Sequence, residues 1–301
     1  MRASAIITTF NRKNLLEKAA RSVLRQTYRD FELIILDNSS TDGTEALVKN
    51  LADSRIVYVK HQSLGISAAR NLGVTTARGE FVGFLDDDDE WLPKKLSLQV
   101  SLFERSSPKV GLVYGGFLRI RPTGEVYDSF TPNLRGSVLV GYLCGRNPLT
   151  GSASNPLMRR EAVLAVGGYN NKLKTSEDWE FYLRLARQYD FDFVKEPVVK
   201  IRAHSGPRLG DRLEDAAETE LVVLEEFADV FKDHPRCQSI YFQIAGGKYC
   251  RLGKSSMGRK YLRQAIARDT SNLAAYAQYA ISFFGKGFYS FVHALYKKFN
   301  K

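Results

Sequence analysis

Residues 79–96 read GEFVGFLDDDDEWLPKKL, and this stretch decides how the chain folds. Phe81-Val82-Gly83-Phe84-Leu85 is an apolar run of strand length that ends in five consecutive acids, Asp86 to Glu90. An unbroken apolar run fits a strand covered on both faces. Neighbouring carboxylates repel one another, so folding alone gives no reason to place five where a buried strand surfaces. The pattern calls for a positive charge at that strand end.

Working outward, the same alternation recurs. SAIITTF (4–10), FELIILD (31–37) and RIVYV (55–59) are short β-branched runs that read as strands. Helical patterns lie between them at 14–26, 41–53 and 65–77, and another follows at 92–104 with Pro93 suited to its first turn. Strands alternating with helices of this length imply a parallel sheet with helices on both faces. Ligands of such sheets bind outside the carboxyl ends of the strands. The polar strand ends TTFNR (8–12), LDNSSTDGT (36–44) and LDDDDE (85–90) are therefore expected at one rim.

From about residue 110 the pattern changes. KVGLVYGGFLRIRPTGEVYDSF predicts two strands around a turn at Pro122-Thr123-Gly124, and 145–163 reads as a loop-rich stretch. An acidic helix start after a glycine turn follows in 166–189, then a strand over 192–204 ending at His204. The remainder is mostly helical, with Pro235 as a break. Segments 241–254 and 256–269 form a helix pair resembling one tetratricopeptide unit. One unit cannot bury its own face, so a helical appendage is expected rather than a repeat array.

The chain has 301 residues, 44% hydrophobic and 26% charged, which suits a soluble globular protein of one large or two modest domains. No apolar stretch reaches the roughly 18 residues of a membrane span. Met1-Arg2 runs straight into a core-type strand, which argues against a signal peptide. Cys144, Cys237 and Cys250 lack metal-ligand spacing and are expected as buried or incidental thiols of a reducing cytosol. The net charge of +11 is concentrated: residues 232–301 hold 13 of the 44 Lys and Arg but only two of the 33 acids, leaving 31 of each in 1–231.

Three readings of the acids compete. A solvated acidic loop is the plainest. A calcium loop of the EF-hand type needs alternating ligands, a turn glycine and a distal glutamate, and Trp91-Leu92-Pro93 breaks that pattern. The third is a divalent ion held by one or two carboxylates and a substrate diphosphate, as magnesium prefers.

The segments IITTFNR, LDNSSTDGT, GISAARNLGVTTARGEFVGFLDDDDEW and GGYNNKLKTSEDWEFYLRL, in this order and spacing, resemble the family 2 glycosyltransferases over roughly residues 3–205. The resemblance implies a GT-A fold: an α/β, Rossmann-like, doubly wound mixed sheet with helices on both faces, plus a C-terminal helical appendage. It implies a nucleotide-sugar-binding half over 1–105, an acceptor-binding half over 106–215 and a basic helical region over 216–301. Thr8, Phe10 and Arg12 match the loop against the nucleotide base, and Asp37 the aspartate that hydrogen-bonds uracil. Asn38 stands where a second aspartate is usual. Gly65, Arg70 and Asn71 match the segment near ribose and diphosphate. Asp86 and Asp88 match the outer positions of the Asp-X-Asp motif, Asp86 facing ribose and Asp88 ligating Mg²⁺ or Mn²⁺. Four aspartates in a row leave Asp87 or Asp89 able to share that work. His204 is either structural or, by resemblance, a third metal ligand or diphosphate contact.

Glu177-Asp178-Trp179 has a plain reading as a helix start after Ser176. By resemblance Asp178 is the general base, with Glu177 beside it on the acceptor side. Trp91 and Trp179 are expected to pack in the interior, with a wall against a sugar ring as the alternative. The implied reaction moves a sugar, UDP-linked by the match at Asp37, to an acceptor hydroxyl with inversion, in polysaccharide, glycolipid or glycoprotein glycan synthesis. The rival reading is a non-catalytic GT-A-like binding module tethered by its basic tail, although the chain keeps both acidic motifs. A nucleotidyltransferase would need a glycine- and base-rich loop after the first strand, and TTFNRKN is not one. Residues 281–301 mix Phe, Tyr and Leu with lysines. They read either as a helix packed on its own domain or as a peripheral contact with an anionic membrane on its cytoplasmic face. No nucleic-acid recognition motif is present, so no nucleic-acid partner is expected.

Overall fold

The computed structural model of the chain describes residues 1–62, 64–145, 149, 152–203 and 212–299, with side chains to residue 295. The chain forms two compact units. One comprises Met1–Leu139, Asn147–Lys172 and Phe181–Gly206, the other Val140–Arg146, Leu173–Glu180 and Pro207–Lys301.

The first unit is built on a nine-stranded mixed sheet. Its strands are β1 (Ala3–Thr9), β2 (Phe31–Asp37), β3 (Ile56–Lys60), β4 (Phe81–Asp86), β5 (Glu90–Trp91), β6 (Val110–Ile120), β7 (Val126–Phe130), β8 (Leu157–Arg159) and β9 (Asp190–Arg202). They run in the order β3-β2-β1-β4-β8-β6-β9-β5, with β7 also paired to β6. β3, β2, β1 and β4 are parallel neighbours. β8 runs antiparallel to both β4 and β6, while β6 and β9 are parallel.

The period-2 alternation of strand side chains sorts the core. Ala3, Ala5 and Ile7 of β1 join Leu33 and Ile35 of β2 and Phe81 and Leu85 of β4 on one face. There they meet Leu16, Ala19, Ala20 and Val23 of helix Lys13–Leu24 and Leu96, Val100 and Phe103 of helix Lys95–Arg105. Ile6 and Leu36 point the other way, toward helix Ile66–Thr76. A Cβ at Gly73 of that helix would sit 2.6 Å from Ile6 Cγ2, so only glycine permits this approach. Helices thus cover both faces, and the arrangement is the expected doubly wound α/β fold.

Two short strands escape the sequence reading. Glu90–Trp91, inside the acidic run, forms β5 against β9. Within the stretch expected to be loop lie β8 and helix Arg160–Ala165. Pro93 lies in a turn, and its helix begins only at Lys95.

The second unit is helical: Leu213–Glu226, Ala228–Asp233, Pro235–Leu252, Ser255–Arg268, Leu273–Ile281, a 3₁₀ turn at Ser282–Phe284, and Gly285–Phe299. The helical run breaks at His234, and Pro235 is the first residue of the next helix, a position where its missing N–H is not needed. The expected helix pair packs through glycines: a Cβ at Gly258 would meet Cys250 Sγ, and one at Gly246 would lie 2.9 Å from the Gly258 carbonyl. Asn272 ties the next helix to this pair, its Nδ2 donating to Ser239 Oγ at 2.9 Å while its Oδ1 caps the Ala275 N–H at 3.0 Å.

The cysteines correct the sequence reading. Cys144 is disulfide-bonded to Cys237, 93 residues away, and Cys250 is the buried free thiol. Sequence spacing carries no signal for a pair so distant.

Candidate active site

The register brings the strand ends together as expected. Thr8 of β1 lies opposite Leu36 on one side and Asp86 on the other, and Thr9 lies opposite Asp37. Every polar strand end of the parallel half therefore opens on one rim.

Of the four aspartates after β4, Asp87, Asp88 and Asp89 are buried and Asp86 is partly open. Asp87 is buried, with Oδ2 accepting from Thr9 Oγ1 at 2.8 Å and Oδ1 from Arg12 Nη1 at 2.9 Å. Burial pushes its carboxyl up to about 6, against the pull of Arg12 and Thr9. Asp89 is also buried. Ser152 Oγ and Ser154 Oγ donate to its Oδ2 at 2.9 and 2.7 Å, and the Arg202 N–H to its Oδ1 at 2.9 Å. Burial, then the Asp86 charge, push the Asp89 carboxyl upward.

Asp86 and Asp88 alternate with these. Asp86 is the most open of the four, its side chain 37% exposed, with Arg70 Nη2 3.3 Å from Oδ1 and Ser152 Oγ donating to Oδ2 at 3.0 Å. Asp88 Oδ2 accepts from the same Arg12 Nη1 that bonds Asp87, again at 2.9 Å. Arg12, placed by resemblance against the base, here bridges two neighbouring carboxylates and offsets their repulsion. Arg70 is buried, its guanidinium 5.2 Å from the Tyr169 ring centroid and 5.8 Å from that of Phe84.

The motif after β2 does structural work. Asp37 is fully buried, its Oδ1 accepting the Ser40 N–H at 2.9 Å and its Oδ2 the Tyr58 hydroxyl at 2.5 Å. Asn38 Oδ1 accepts the Leu64 N–H at 3.0 Å, and Asp42 Oδ2 accepts the Lys13 N–H at the start of its helix. In this geometry Asp37 anchors a turn. Thr8 is half-buried at the rim and Phe10 is exposed. Gly65 is the exposed residue preceding helix Ile66–Thr76.

Asn71 holds the glycine turn. Its Oδ1 accepts the Tyr169 N–H at 2.7 Å and its Nδ2 donates to the Tyr169 carbonyl at 2.8 Å. Gly168 has φ +67° and lies so close to Asn71 that a Cβ would collide with Oδ1, so both space and backbone demand glycine.

Glu177 and Asp178 belong to the second unit. They open helix Glu177–Gln188, with Glu177 buried and Asp178 half-buried. Ser176 has φ +57°, which replaces the extended backbone expected of an N-cap. Asp178 Oδ1 accepts the Trp179 N–H at 2.7 Å. The Tyr142 phenol is raised well above its ordinary value, first by burial and then by the charge of Asp178. The half-buried Trp179 ring stacks on Tyr241 at 5.5 Å, and Trp91 is buried in the core with Nε1 donating to the Ser154 carbonyl.

His204 lies outside the described residues. Thr9, Ser152, Ser154 and Arg202 were missed by sequence reasoning. The serines sit in GSASN, a small polar cluster without periodicity, and Arg202 ends a strand whose direction the sequence does not reveal. Among the described residues no group of three or more His, Cys, Asp or Glu has metal-holding geometry, and no helix is long and apolar enough to cross a membrane.

Comparison with known proteins agrees with this architecture. The family model described as Glycosyl transferase family 2 matches residues 4–166. An uncharacterized glycosyltransferase of Methanocaldococcus jannaschii (MJ1057) is 30% identical over 205 residues, 66% of this chain and 70% of the relative. A GalNAc(5)-diNAcBac-PP-undecaprenol beta-1,3-glucosyltransferase of Campylobacter jejuni is 40% identical over 132 residues, 42% of this chain and 41% of that protein. Among solved structures, S. aureus TarS 1-349 in complex with UDP-GlcNAc superposes with a TM-score of 0.64 at 16% identity, covering 93% of this chain and 92% of TarS 1-349. That likeness is one of fold. With more than half its length matched by the family, its acidic rim within that match and its GT-A sheet shared with solved relatives, the chain belongs to the family 2 glycosyltransferases.

Proposed function

We propose that this glycosyltransferase moves a sugar from a UDP-linked donor to an acceptor hydroxyl by metal-assisted in-line displacement with inversion, in the synthesis of a cell-envelope glycan. The observation that carries this reading is the convergence of the β1, β2 and β4 ends on one rim that carries the acidic run. Asp87, Asp88 and Asp89 are buried, Asp88 sharing Arg12 with Asp87, while Asp86 is 37% exposed beside Arg70. Asp86 and Asp88 are assigned as the Asp-X-Asp pair by their sequence match.

The donor set fits a hard divalent cation. Both side chains offer carboxylate oxygens, and Mg²⁺ or Mn²⁺ takes one or two carboxylates and completes its shell with phosphate oxygens. Asp88 would hold the ion and Asp86 would face the ribose. When bound, the ion stabilises negative charge developing on the departing diphosphate. Arg70, beside Asp86, keeps that carboxylate oriented.

Asp178 is assigned as general base on the strength of its sequence match. A carboxylate in hydrogen-bond reach of the acceptor hydroxyl accepts its proton as the new bond forms, a contribution of about 10²–10⁴-fold in rate. Two relatives act on lipid-linked acceptors by name: the C. jejuni enzyme, and the E. coli UDP-Glc:alpha-D-GlcNAc-diphosphoundecaprenol beta-1,3-glucosyltransferase WfaP, 37% identical over 115 residues. A polyprenyl-diphosphate-linked sugar is accordingly the proposed acceptor class.

Isothermal titration with UDP, GDP and dTDP, each with and without Mn²⁺, tests the donor site. UDP is expected to bind only with metal, and that binding is expected to vanish in Asp88→Ala. Binding of none of the three by folded protein would overturn the reading.

A further inference from the structure

Exposed large apolar side chains gather at the end of the chain. Phe284, Phe288, Phe291 and Leu295 are 70%, 47%, 61% and 40% exposed. Spacings of three and four residues place Phe288, Phe291 and Leu295 on one face of helix Gly285–Phe299, and Phe284 precedes them across Gly285, which has φ +81°. The Phe284 and Phe288 rings touch at 5.2 Å, so the row begins as a continuous surface. The helix buries a different face: Tyr289 packs with Cys250 and Leu262, and its hydroxyl donates to Gln278 Oε1 at 2.9 Å. A single exposed Phe needs no explanation, whereas a row of four along a helix that already has a packed side does.

The charge around this row selects its occupant. Lys286 lies within the same segment and is exposed, and the Arg259 guanidinium sits 4.7 Å from the ring centroid of Phe283, also exposed. Residues 232–301 carry 13 basic side chains against two acids. A second copy would set this basic surface against itself. A bilayer with anionic headgroups accepts aromatic side chains at its interface and attracts nearby cations by about 1 kcal/mol each.

We propose that the Phe284–Phe288–Phe291–Leu295 row is a seat for an anionic phospholipid bilayer, into whose interface the helix lays its aromatic face while the basic side chains around it meet the headgroups. The seat is independent of the donor reading, because none of these residues belongs to the rim of the first unit.

The test is co-sedimentation of the full chain with vesicles of phosphatidylglycerol and phosphatidylcholine, beside vesicles of phosphatidylcholine alone. Binding is expected to the mixed vesicles, at least tenfold weaker to the neutral ones, and to fall with added salt. Replacing Phe284, Phe288 and Phe291 together by Ser is expected to weaken vesicle binding about 100-fold or more, with the melting temperature unchanged. Lys286→Glu is expected to weaken it about tenfold. UDP titration on the same samples should not change, which separates failure here from failure of the donor site. Absence of vesicle binding would overturn the proposal, as would full retention in the triple Ser variant. A dimer in solution that the triple Ser variant makes monomeric, without vesicle binding, would assign the row to a second copy instead.

Discussion

Four successive aspartates end in distinct environments because the chain leaves β4 in a tight turn, where the Asp89 N–H donates to the Asp86 carbonyl at 3.0 Å. Asp87 then reaches Thr9, Asp88 stays buried against Arg12, and Asp89 reaches the Ser152–Ser154 loop. A more tractable single charge lies on β2, away from the rim. Glu32 is buried, and its Oε1 accepts Ser4 Oγ and the Arg78 N–H, both at 2.7 Å, while Oε2 accepts Arg78 Nε and Nη2 at 3.1 and 3.0 Å. Burial alone would raise its carboxyl, but the hydrogen bonds and the Arg78 charge outweigh burial and hold it below the usual range. A depressed folded value means that this group's stabilisation is complete above the unfolded pKa, about 4.3, and is lost as pH falls through the folded one. Glu32→Gln is expected to cost about 1–3 kcal/mol at pH 7 and to converge on the wild type in acid. Urea melts at pH 7 and pH 3 check this, and parallel curves at both would reject it.

At the scale of elements, the rim is shaped by a segment that catalyses nothing. Lys95, in the first turn of its helix, is fully buried. Its Nζ donates to Gln99 Oε1 at 2.7 Å and to the Asn155 carbonyl, and lies 4.8 Å from the Trp91 ring centroid. Burial pushes its ammonium well below the ordinary lysine value. Gln99 Nε2 donates to the same Asn155 carbonyl, and the Asn155 side chain exchanges two hydrogen bonds with the Gly115 backbone. The loop so pinned carries Ser152 and Ser154 to Asp86 and Asp89. Lys95→Met, close in volume but without the donor, is therefore expected to lower kcat about tenfold while KM for the donor changes little, because it loosens positioning and removes no donor contact. A loss of folding without this split, reversed in Lys95→Arg, would make the role purely structural. The same elements show what a sequence discloses. The ends of β1, β2 and β4 were legible because each couples an apolar run to a polar stop. β5 and β8 were not, since two or three residues show no period, and their pairing depends on partners distant in the chain. Arg202 reaches the rim on β9, registered against Ile120 of β6, and the two serines on the loop before β8.

At the scale of the whole molecule, the two acidic motifs belong to different compact units, and the second unit has a covalent tie that spacing could not reveal. Segment Val140–Arg146 joins the helical unit through Cys144–Cys237. The same segment carries Tyr142, which feels the charge of Asp178. The disulfide thus pins a neighbour of the candidate base to helix Pro235–Leu252. Closing a loop of this length restricts the unfolded chain and stabilises by about 2–4 kcal/mol. Thiol titration in denaturant should count one reactive cysteine, Cys250, and three after reduction. Cys144→Ser is expected to lower the stability of the helical unit by about 2–4 kcal/mol and transferase activity several-fold, leaving metal-dependent UDP binding unchanged, since that binding is assigned to residues of the first unit. Equal losses of UDP affinity and activity would instead show that the tie supports both motifs. Three thiols without reduction would mean that the bond is not formed, and the fall in stability should then be absent.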